Sequence, residues 1–332
     1  MPWKGEKNPY LIWLSEIILQ QTRVEQGLPY FLNFKQKYPT IKHLADAPED
    51  DVMKLWQGLG YYSRARNLHE TAKNIHHNLE GKFPSNFAGL VKLKGVGDYT
   101  ASAIASFAYG EHKAVVDGNV IRVLARVFGI DKAADTTEGK KKFAALAQQL
   151  IDEKEPGPYN QAIMDFGAVV CTPQNPLCDT CPFQKICVAY QQNRIDELPV
   201  KKKKITVLNR YFSYLVIKNG QYIWIAKRTG NDIWKNLYEL PLLETAKPLK
   251  KNIKTAIAEF LGNADFDIAG YSEGSIQLLT HRKIHAQFIE IEVKKFKSLL
   301  LKNALKVSLA ELDNYAFPKT VHLYLQQKHL IK

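Results

Sequence analysis

Between Asn8 and about Tyr190 the apolar residues fall three or four positions apart, in runs such as YLIWLSEIILQQT and AVVDGNVIRVLAR, and GLG, PSN and EPGPYN interrupt the repeat. A spacing near 3.6 predicts helices that each turn an apolar face inward, with the interruptions as turns between them. Past LPVKKKK (198–204) the repeat shortens to two. YFSYLVIKNGQYIWIAKR alternates aromatic and β-branched residues on either side of Asn219-Gly220, which predicts a β-hairpin turning at that pair. HAQFIEIEV (285–293) reads as another strand. The pattern predicts a multi-domain chain: an all-α half at 1–195, a basic linker at 196–208 and a smaller α+β half at 209–332.

Composition adds size, location and the sign of a partner. With 332 residues, 45% of them hydrophobic, each half is long enough to bury its own core. No apolar run approaches the roughly 18 residues of a membrane span, and no basic-then-apolar leader opens the sequence. A cytoplasmic location, with no membrane partner, is the expectation. Lysine and arginine number 46 against 33 acidic residues, a net charge of +13. Such an excess favours a polyanion, because neutralising phosphates releases counterions; a generically basic protein has the same sum. The run Lys201 to Lys204 reads as a solvated linker able to touch a phosphate.

The four cysteines all lie in one short stretch, Cys171, Cys178, Cys181 and Cys187. Disulfide scaffolds scatter their cysteines, so a tight group without a leader points to metal. The pattern C-x6-C-x2-C-x5-C suits a structural zinc or an iron–sulfur cluster equally.

Two acids stand out from the helical pattern. Glu16 shares a helix face with Ile12 and Leu19, where desolvation should raise its pKa towards that of a general acid working near neutrality. Asp117 stands just before a helix and next to Gly118, the position of a cap. Two carboxylates in unlike environments suit cleavage of an N-glycosidic bond, one protonating the leaving base and the other stabilising or capturing the sugar cation. LKGVGDYTAS (93–102) supplies a helix–GVG–helix turn whose second helix offers free N–H groups and its dipole to an anion. A plain interhelical turn reads the same from GVG alone.

Taken together these stretches resemble the helix-hairpin-helix DNA glycosylases and, within them, the A/G-specific adenine glycosylases of the MutY type. The motifs are PW (2–3), WLSEIILQQT (13–22), LWQGLGYYSRARNL (55–68), LKGVGDYTASAI (93–104), VDGNVIRVLAR (116–126), NQAIMDFGAVVCT (160–172) and the cysteine array. The resemblance implies a six-helix bundle lobe with the hairpin, an iron–sulfur lobe in which Cys171, Cys178, Cys181 and Cys187 hold one structural 4Fe-4S cluster, and a Nudix-like C-terminal domain. It implies a monomer acting on double-stranded DNA that carries adenine mispaired with 8-oxoguanine or guanine. Glu16 matches the acid that protonates adenine at N7, Asp117 the carboxylate facing the oxocarbenium sugar, and Asn119 a residue ordering that site. Trp3, Lys4, Leu19 and Gln161 fall at adenine-pocket positions. Gln21 and Tyr61 match residues that enter the base stack, and Gly95, Val96 and Gly97 match the phosphate-gripping hairpin. Endonuclease III-type relatives that also cut the strand carry a lysine where Tyr99 stands. A tyrosine forms no Schiff base, so base excision without an efficient lyase step is expected.

The C-terminal half resembles the family more loosely. A Nudix hydrolase needs a glutamate-rich helix for metal, and KNIKTAIAEFLG has only Glu259, so recognition rather than nucleotide hydrolysis is expected; the resemblance implies that what is recognised is 8-oxoguanine opposite the adenine. THRKIHAQF (280–288) stands where the family often has Phe-Ser-His. His285 is retained, whereas Lys283 and Ile284 replace the aromatic residue and the serine; His281 and Lys283 are candidate lesion contacts, with a solvated loop as the plainer reading. Family members also carry a helix of some twenty residues ahead of the PW motif; this sequence opens at that motif, as a short form or from a misassigned start, and weaker stability or weaker adenine-pocket closure is the expectation. Two rivals are an endonuclease III-like pyrimidine glycosylase with lyase activity, opposed by Tyr99, and a non-catalytic lesion-binding protein, opposed by the two carboxylates.

Overall fold

The computed structural model describes residues 4–202, 206–262, 265–272, 274–293 and 304–332. Trp3 and the PW motif lie outside the described residues, as do Lys203 and Lys204. The helices of the first part are α1 (Pro9–Leu19), α2 (Val24–Lys37), α3 (Ile41–Asp46), α4 (Glu49–Leu55), α5 (Ser63–Asn78), α6 (Phe87–Leu90), α7 (Asp98–Tyr109), α8 (Gly118–Phe128), α9 (Thr137–Leu150), α10 (Pro156–Val169) and α11 (Val188–Gln191). Among the described residues no helix is long and apolar enough to cross a membrane. The chain divides into two compact units. One takes the residues up to Asp46 and those from Asn67 to the linker; the other takes Ala47–Arg66 with the C-terminal part.

In the helical unit α1 is buried on every side, from Tyr10 to Ile18. A helix that is apolar all round belongs at a core centre, and any polar group on it is placed there at a desolvation cost. Asn8 starts it by accepting the Tyr10 N–H at 3.0 Å, and Pro9 follows at the first turn, where its missing N–H is no loss. α7 packs on α1, and apart from Ile104 its buried residues are small: Thr100, Ala101, Ser102, Ala103, Ala105 and Ser106. Such small side chains let the two backbones approach closely. α8 packs against α10 and α11 over a second core that includes Val120, Leu124, Phe143, Ala147, Cys187, Ala189 and Leu198. The start of the basic linker is tied to this core rather than free in solvent: the Ala134 N–H donates to Val200 O at 2.9 Å and the Lys202 N–H to Asp135 at 2.9 Å.

The second unit is built on strands β1 (Leu208–Asn219), β2 (Tyr222–Lys227), β3 (Tyr238–Glu239), β4 (Leu242–Thr245), β5 (Phe266–Tyr271), β6 (Ser275–Leu278), β7 (Arg282–Val293) and β8 (Ala304–Ser308), with α12 (Ile253–Phe260) and α13 (Lys319–Gln327). The path β3-β2-β1-β7-β5 forms its spine, with β4 on β1, β6 on β7 and β8 on β2. Among the described residues only β1 and β7 run parallel, from Leu208↔Arg282 to Ile217↔Ile291. Leu215, Ile217, Ile289 and Ile291 meet Ile257 and Leu261 at the α12 end to make the core. The predicted hairpin forms, one residue later than expected: Asn219 pairs with Tyr222, so Gly220 and Gln221 make the turn.

Segment 47–66 reads as helical in sequence, yet its contacts are with the sheet. Asp50 accepts from Lys227 Nζ at 2.6 Å and from the Tyr238 hydroxyl at 2.9 Å. Lys54 Nζ donates to Tyr315 O at 3.2 Å, and Gln57 Oε1 accepts the Phe317 N–H at 3.1 Å.

Candidate active site and cysteine cradle

A cleft of about 870 Å³ in the helical unit is lined by residues that the sequence analysis singled out from four separate stretches: Glu16, Leu19 and Gln21, then Gly97 and Tyr99, then Asp117 and Asn119, then Gln161. The volume falls in the range of small-molecule sites.

Glu16 reaches the cleft from the buried helix α1 and is only 8% exposed. Burial pushes its carboxyl up from 4.5 to about 7; the Tyr99 hydroxyl, hydrogen-bonded to it, pulls the other way, and the nearby Asp117 charge pushes it up further. Desolvation dominates, as the all-apolar helix requires. Tyr99 sits in the first turn of α7, half-buried, and its own phenol is raised well above the usual value, chiefly by burial and then by Glu16. It therefore acts as a neutral hydrogen-bond donor to the acid.

Asp117 faces this pair as the N-cap of α8. Its Oδ1 accepts the Val120 N–H at 2.8 Å, and its Oδ2 accepts from Asn119 Nδ2 at 2.8 Å. The bond that begins the helix thus also fixes where the carboxylate points. Arg122 Nη2 donates to Asn119 Oδ1 at 2.9 Å, and Arg122 Nε donates to Cys171 O at 2.7 Å. One guanidinium so connects the ordered carboxylate with the first cysteine.

Gly167 lets α10 lie against this corner. A Cβ there would stand 2.7 Å from Asn119 Cβ and 2.9 Å from Asn119 O. Gly167→Ala is expected to push the N-terminus of α8 aside, disturbing Asn119 and Asp117 and costing about 1–3 kcal/mol of stability. Thermal unfolding checks it.

On α10, Gln161 is joined to a residue that sequence reasoning missed. Asp165 accepts from Gln161 Nε2 at 3.0 Å and from Lys4 Nζ at 2.7 Å. It draws together two of the expected pocket residues and lines the cleft itself. Its i+4 spacing from Gln161 was the available signal. Lys7, also on the lining, donates to Phe107 O at 3.1 Å.

The GVG turn precedes α7. Gly95 is in the left-handed region at φ +75°, and a Cβ on it would meet Asn67 Cβ at 2.7 Å, so position and conformation both call for glycine. Gly97 is extended, with nothing within 4 Å of a Cβ there, and caps α7 with no side-chain bond. α7 therefore begins without a side-chain cap on its leading amides. The Val96 side chain is buried between them, 5% exposed.

Gln21 follows α1, exposed and at φ +55°. Tyr61, His281, Lys283 and His285 belong to the second unit. Tyr61 is exposed and His281 lies exposed at a turn; Lys283 and His285 are half-buried on one face of β7, with the buried Ile284 on the other. His285 stacks on Tyr211 with ring centroids 4.7 Å apart, and its Nε2 pairs with Asn209 Oδ1 at 2.8 Å.

All four cysteines ring one small void together with Arg126, Phe166 and Phe183. Among the described residues no three potential ligands close on a single point as one ion demands; the thiols surround a space. Burial pushes the Cys178 thiol up, and the three neighbouring thiols add to the rise. Arg126, 2% exposed, offsets this concentration of sulfur: Nη1 donates to Cys171 Sγ at 3.5 Å and to Thr172 O at 2.7 Å, Nη2 to Pro173 O at 3.2 Å, and Nε to Ile195 O and Leu198 O. Four soft donors around a void, beside a buried cation, fit a polynuclear iron–sulfur group.

Residues 14–151 match the HhH-GPD superfamily of base excision DNA repair proteins, 171–187 the iron–sulfur binding domain of endonuclease III, and 213–327 the NUDIX domain. The chain is 41% identical over 256 residues to the adenine DNA glycosylase of Buchnera aphidicola (subspecies Schizaphis graminum), covering 76% of this chain and 74% of that one. The chain belongs to the adenine DNA glycosylase family. A human adenine DNA glycosylase is 44% identical over 207 residues, covering 60% of this chain and 38% of its own length. A solved thermostable thymine-DNA glycosylase superposes with a TM-score of 0.54 at 30% identity, covering 58% of this chain and 88% of that one. An endonuclease III–DNA complex, at 23% identity and a TM-score of 0.51 over 57% of this chain and 86% of that one, shows the same fold. As a member of the adenine DNA glycosylase family the protein is an N-glycosyl hydrolase of base excision repair, with an iron–sulfur cluster on its four cysteines.

Proposed function

We propose that this protein hydrolyses the N-glycosidic bond of adenine mispaired with 8-oxoguanine or guanine in duplex DNA, and leaves the strand at the abasic site uncut. The observation that carries the reading is the Glu16–Tyr99–Asp117 arrangement: an acid pushed to about 7, a neutral donor touching it, and an ordered carboxylate facing both.

Glu16, protonated near neutral pH, gives its proton to N7 of an extruded adenine, and the bond to the sugar breaks with the electron pair leaving on the base. Asp117, held by Val120 N–H and Asn119, stabilises the oxocarbenium ion or captures it until water adds. Glu16, now charged, is placed to accept a proton from that water, and Tyr99 donates to the carboxylate it leaves. Lys4 and Gln161, both bonded to Asp165, form the adenine pocket together with Leu19 and Trp3. Gln21 and Tyr61 fill the stack, and the amides behind Gly95, Val96 and Gly97 hold a phosphate. Cys171, Cys178, Cys181 and Cys187 would carry the cluster as the 4Fe-4S form, with a structural role. The domains are taken as 1–195 for catalysis and 209–332 for reading the lesion through His281, Lys283 and His285, joined by 196–208. Nucleotide hydrolysis is not part of the reading, since α12 carries the single acid Glu259.

The absence of strand cutting rests on position 99. A lyase needs an amine within reach of C1′; Tyr99 offers a phenol, and Lys7 is engaged with Phe107 O. The test is single-turnover reaction with duplex DNA carrying adenine opposite 8-oxoguanine, each sample divided between hot alkali and mild quenching. Breaks only after alkali are expected. Breaks in both portions would replace this reading with the lyase one, and tight binding without breaks in either would replace it with lesion binding alone.

A further inference from the structure

Tyr61 is prepared by its surroundings. Its backbone is left-handed at φ +48°, a conformation that costs a non-glycine residue of order 1 kcal/mol. Arg64, 8% exposed, lies 5.5 Å from its ring and 5.2 Å from that of the fully buried Trp56. Arg64 Nη2 and Trp56 Nε1 both donate to Gly60 O, at 3.2 and 3.0 Å. The backbone entering Tyr61 is thereby pinned.

The Tyr61 hydroxyl is pinned from elsewhere. It makes a 2.6 Å hydrogen bond with Thr280 Oγ1, 219 residues away in sequence and in the same compact unit. Thr280 and His281 form the turn between β6 and β7, closed by the Leu279 N–H to Arg282 O at 2.8 Å. The Leu208 N–H donates to His281 O at 3.0 Å and ties this turn to β1. α13 braces both partners: Thr320 bonds Gln277 of β6, and His322 Nδ1 pairs at 2.8 Å with Gln57, four residues before Tyr61. The exposed aromatic and the β6–β7 turn are therefore parts of one hydrogen-bonded assembly.

We propose that Thr280 is a positioning residue for Tyr61, holding its ring in the orientation that enters the base stack and joining that movement to the turn that carries His281. This rests on the reading of Tyr61 as a stacking residue, and it adds that the sheet domain sets the wedge before DNA arrives. A hydroxyl pair at 2.6 Å is the smallest link that can do so, because it fixes the distal end of a ring whose backbone is already fixed.

The test uses the full-length protein and a duplex with adenine opposite 8-oxoguanine, with 2-aminopurine beside the 8-oxoguanine to report unstacking. Thr280→Val is expected to slow both the fluorescence rise and single-turnover excision by roughly three- to tenfold, the size of one net hydrogen bond. Thr280→Ser should restore both, and Tyr61→Phe should reproduce the loss. In the Tyr61→Phe background Thr280→Val should do nothing further. Wild-type behaviour of Thr280→Val, or an undiminished effect of it in the Tyr61→Phe background, overturns the positioning role. Tyr61→Ala separates the two levels. If it impairs unstacking while Thr280→Val does not, only the positioning role fails; if Tyr61→Ala matches wild type in both readouts, the stacking role fails and the inference with it.

Discussion

Glu16→Gln is expected to lower single-turnover adenine release by at least roughly a thousandfold while leaving binding to the mispaired duplex within about twofold of wild type. The amide keeps the shape and can still accept from Tyr99, but it has no proton to give. The same group sets the pH dependence. With the carboxyl at about 7 in the folded protein, the active acid form predominates below that value. Excision should then fall about tenfold per unit as pH rises beyond 7. Stability follows with the same sign. The folded state holds a proton that the unfolded chain releases near 4.5, so the favourable contribution is complete below 4.5 and is lost as pH rises through about 7. The loss is about 3 kcal/mol at most. Glu16→Gln should consequently be more stable than wild type at pH 8–9 and little different at pH 5. Activity of the variant above a tenth of wild type, or a wild-type rate that is flat from pH 6 to 9, would overturn the acid role.

Arg126→Leu is expected to cost about 3–5 kcal/mol and to release iron from the purified protein. The side chain is 2% exposed and satisfies four carbonyls, those of Thr172, Pro173, Ile195 and Leu198, besides Cys171 Sγ. Leucine would fill much of the volume and leave those acceptors buried without a donor. Arg126→Lys should recover little, because a point charge cannot reach carbonyls that the planar guanidinium spans in several directions. Iron content, visible absorbance and thermal unfolding are the measurements. Full iron occupancy with an unchanged Tm in Arg126→Leu would show that the cysteines hold the cradle without it.

These two residues mark how far the sequence could be read. Glu16 was legible because its reason for being unusual is local: a carboxylate four residues after Ile12 and three before Leu19 on an apolar helix has nowhere to find water. Arg126 was invisible, since nothing about an arginine in VIRVLAR says that Cys171 lies 45 positions on and Leu198 72 positions on. The link from Asp165 to Lys4 escaped for the same reason, the partner being 161 residues away, although its i+4 spacing from Gln161 was legible. Asp117 read best as a helix cap, and it is one; that the capped carboxylate also faces Glu16 follows from the packing of α8 on α10, α10 on α7 and α7 on α1.

By itself the sequence determined what depends on neighbours along the chain. The 3.6-residue and two-residue periods specify helix and strand because each side chain's burial follows from those a turn or a pleat away. The cysteine spacing closes short loops whose ends cannot drift far apart, and Gly95 marks a left-handed turn that other side chains disfavour. Tertiary structure alone decided what depends on partners remote in sequence. It gathered four stretches around one cleft, moved the hairpin turn from Asn219-Gly220 to Gly220-Gln221, and took Ala47–Arg66 from the helical run into the sheet unit, where Tyr61 meets Thr280. The physical reason is that such contacts form between groups with no shared local pattern. Their energies exist only once the cores have fixed distances that the chain, read residue by residue, leaves open.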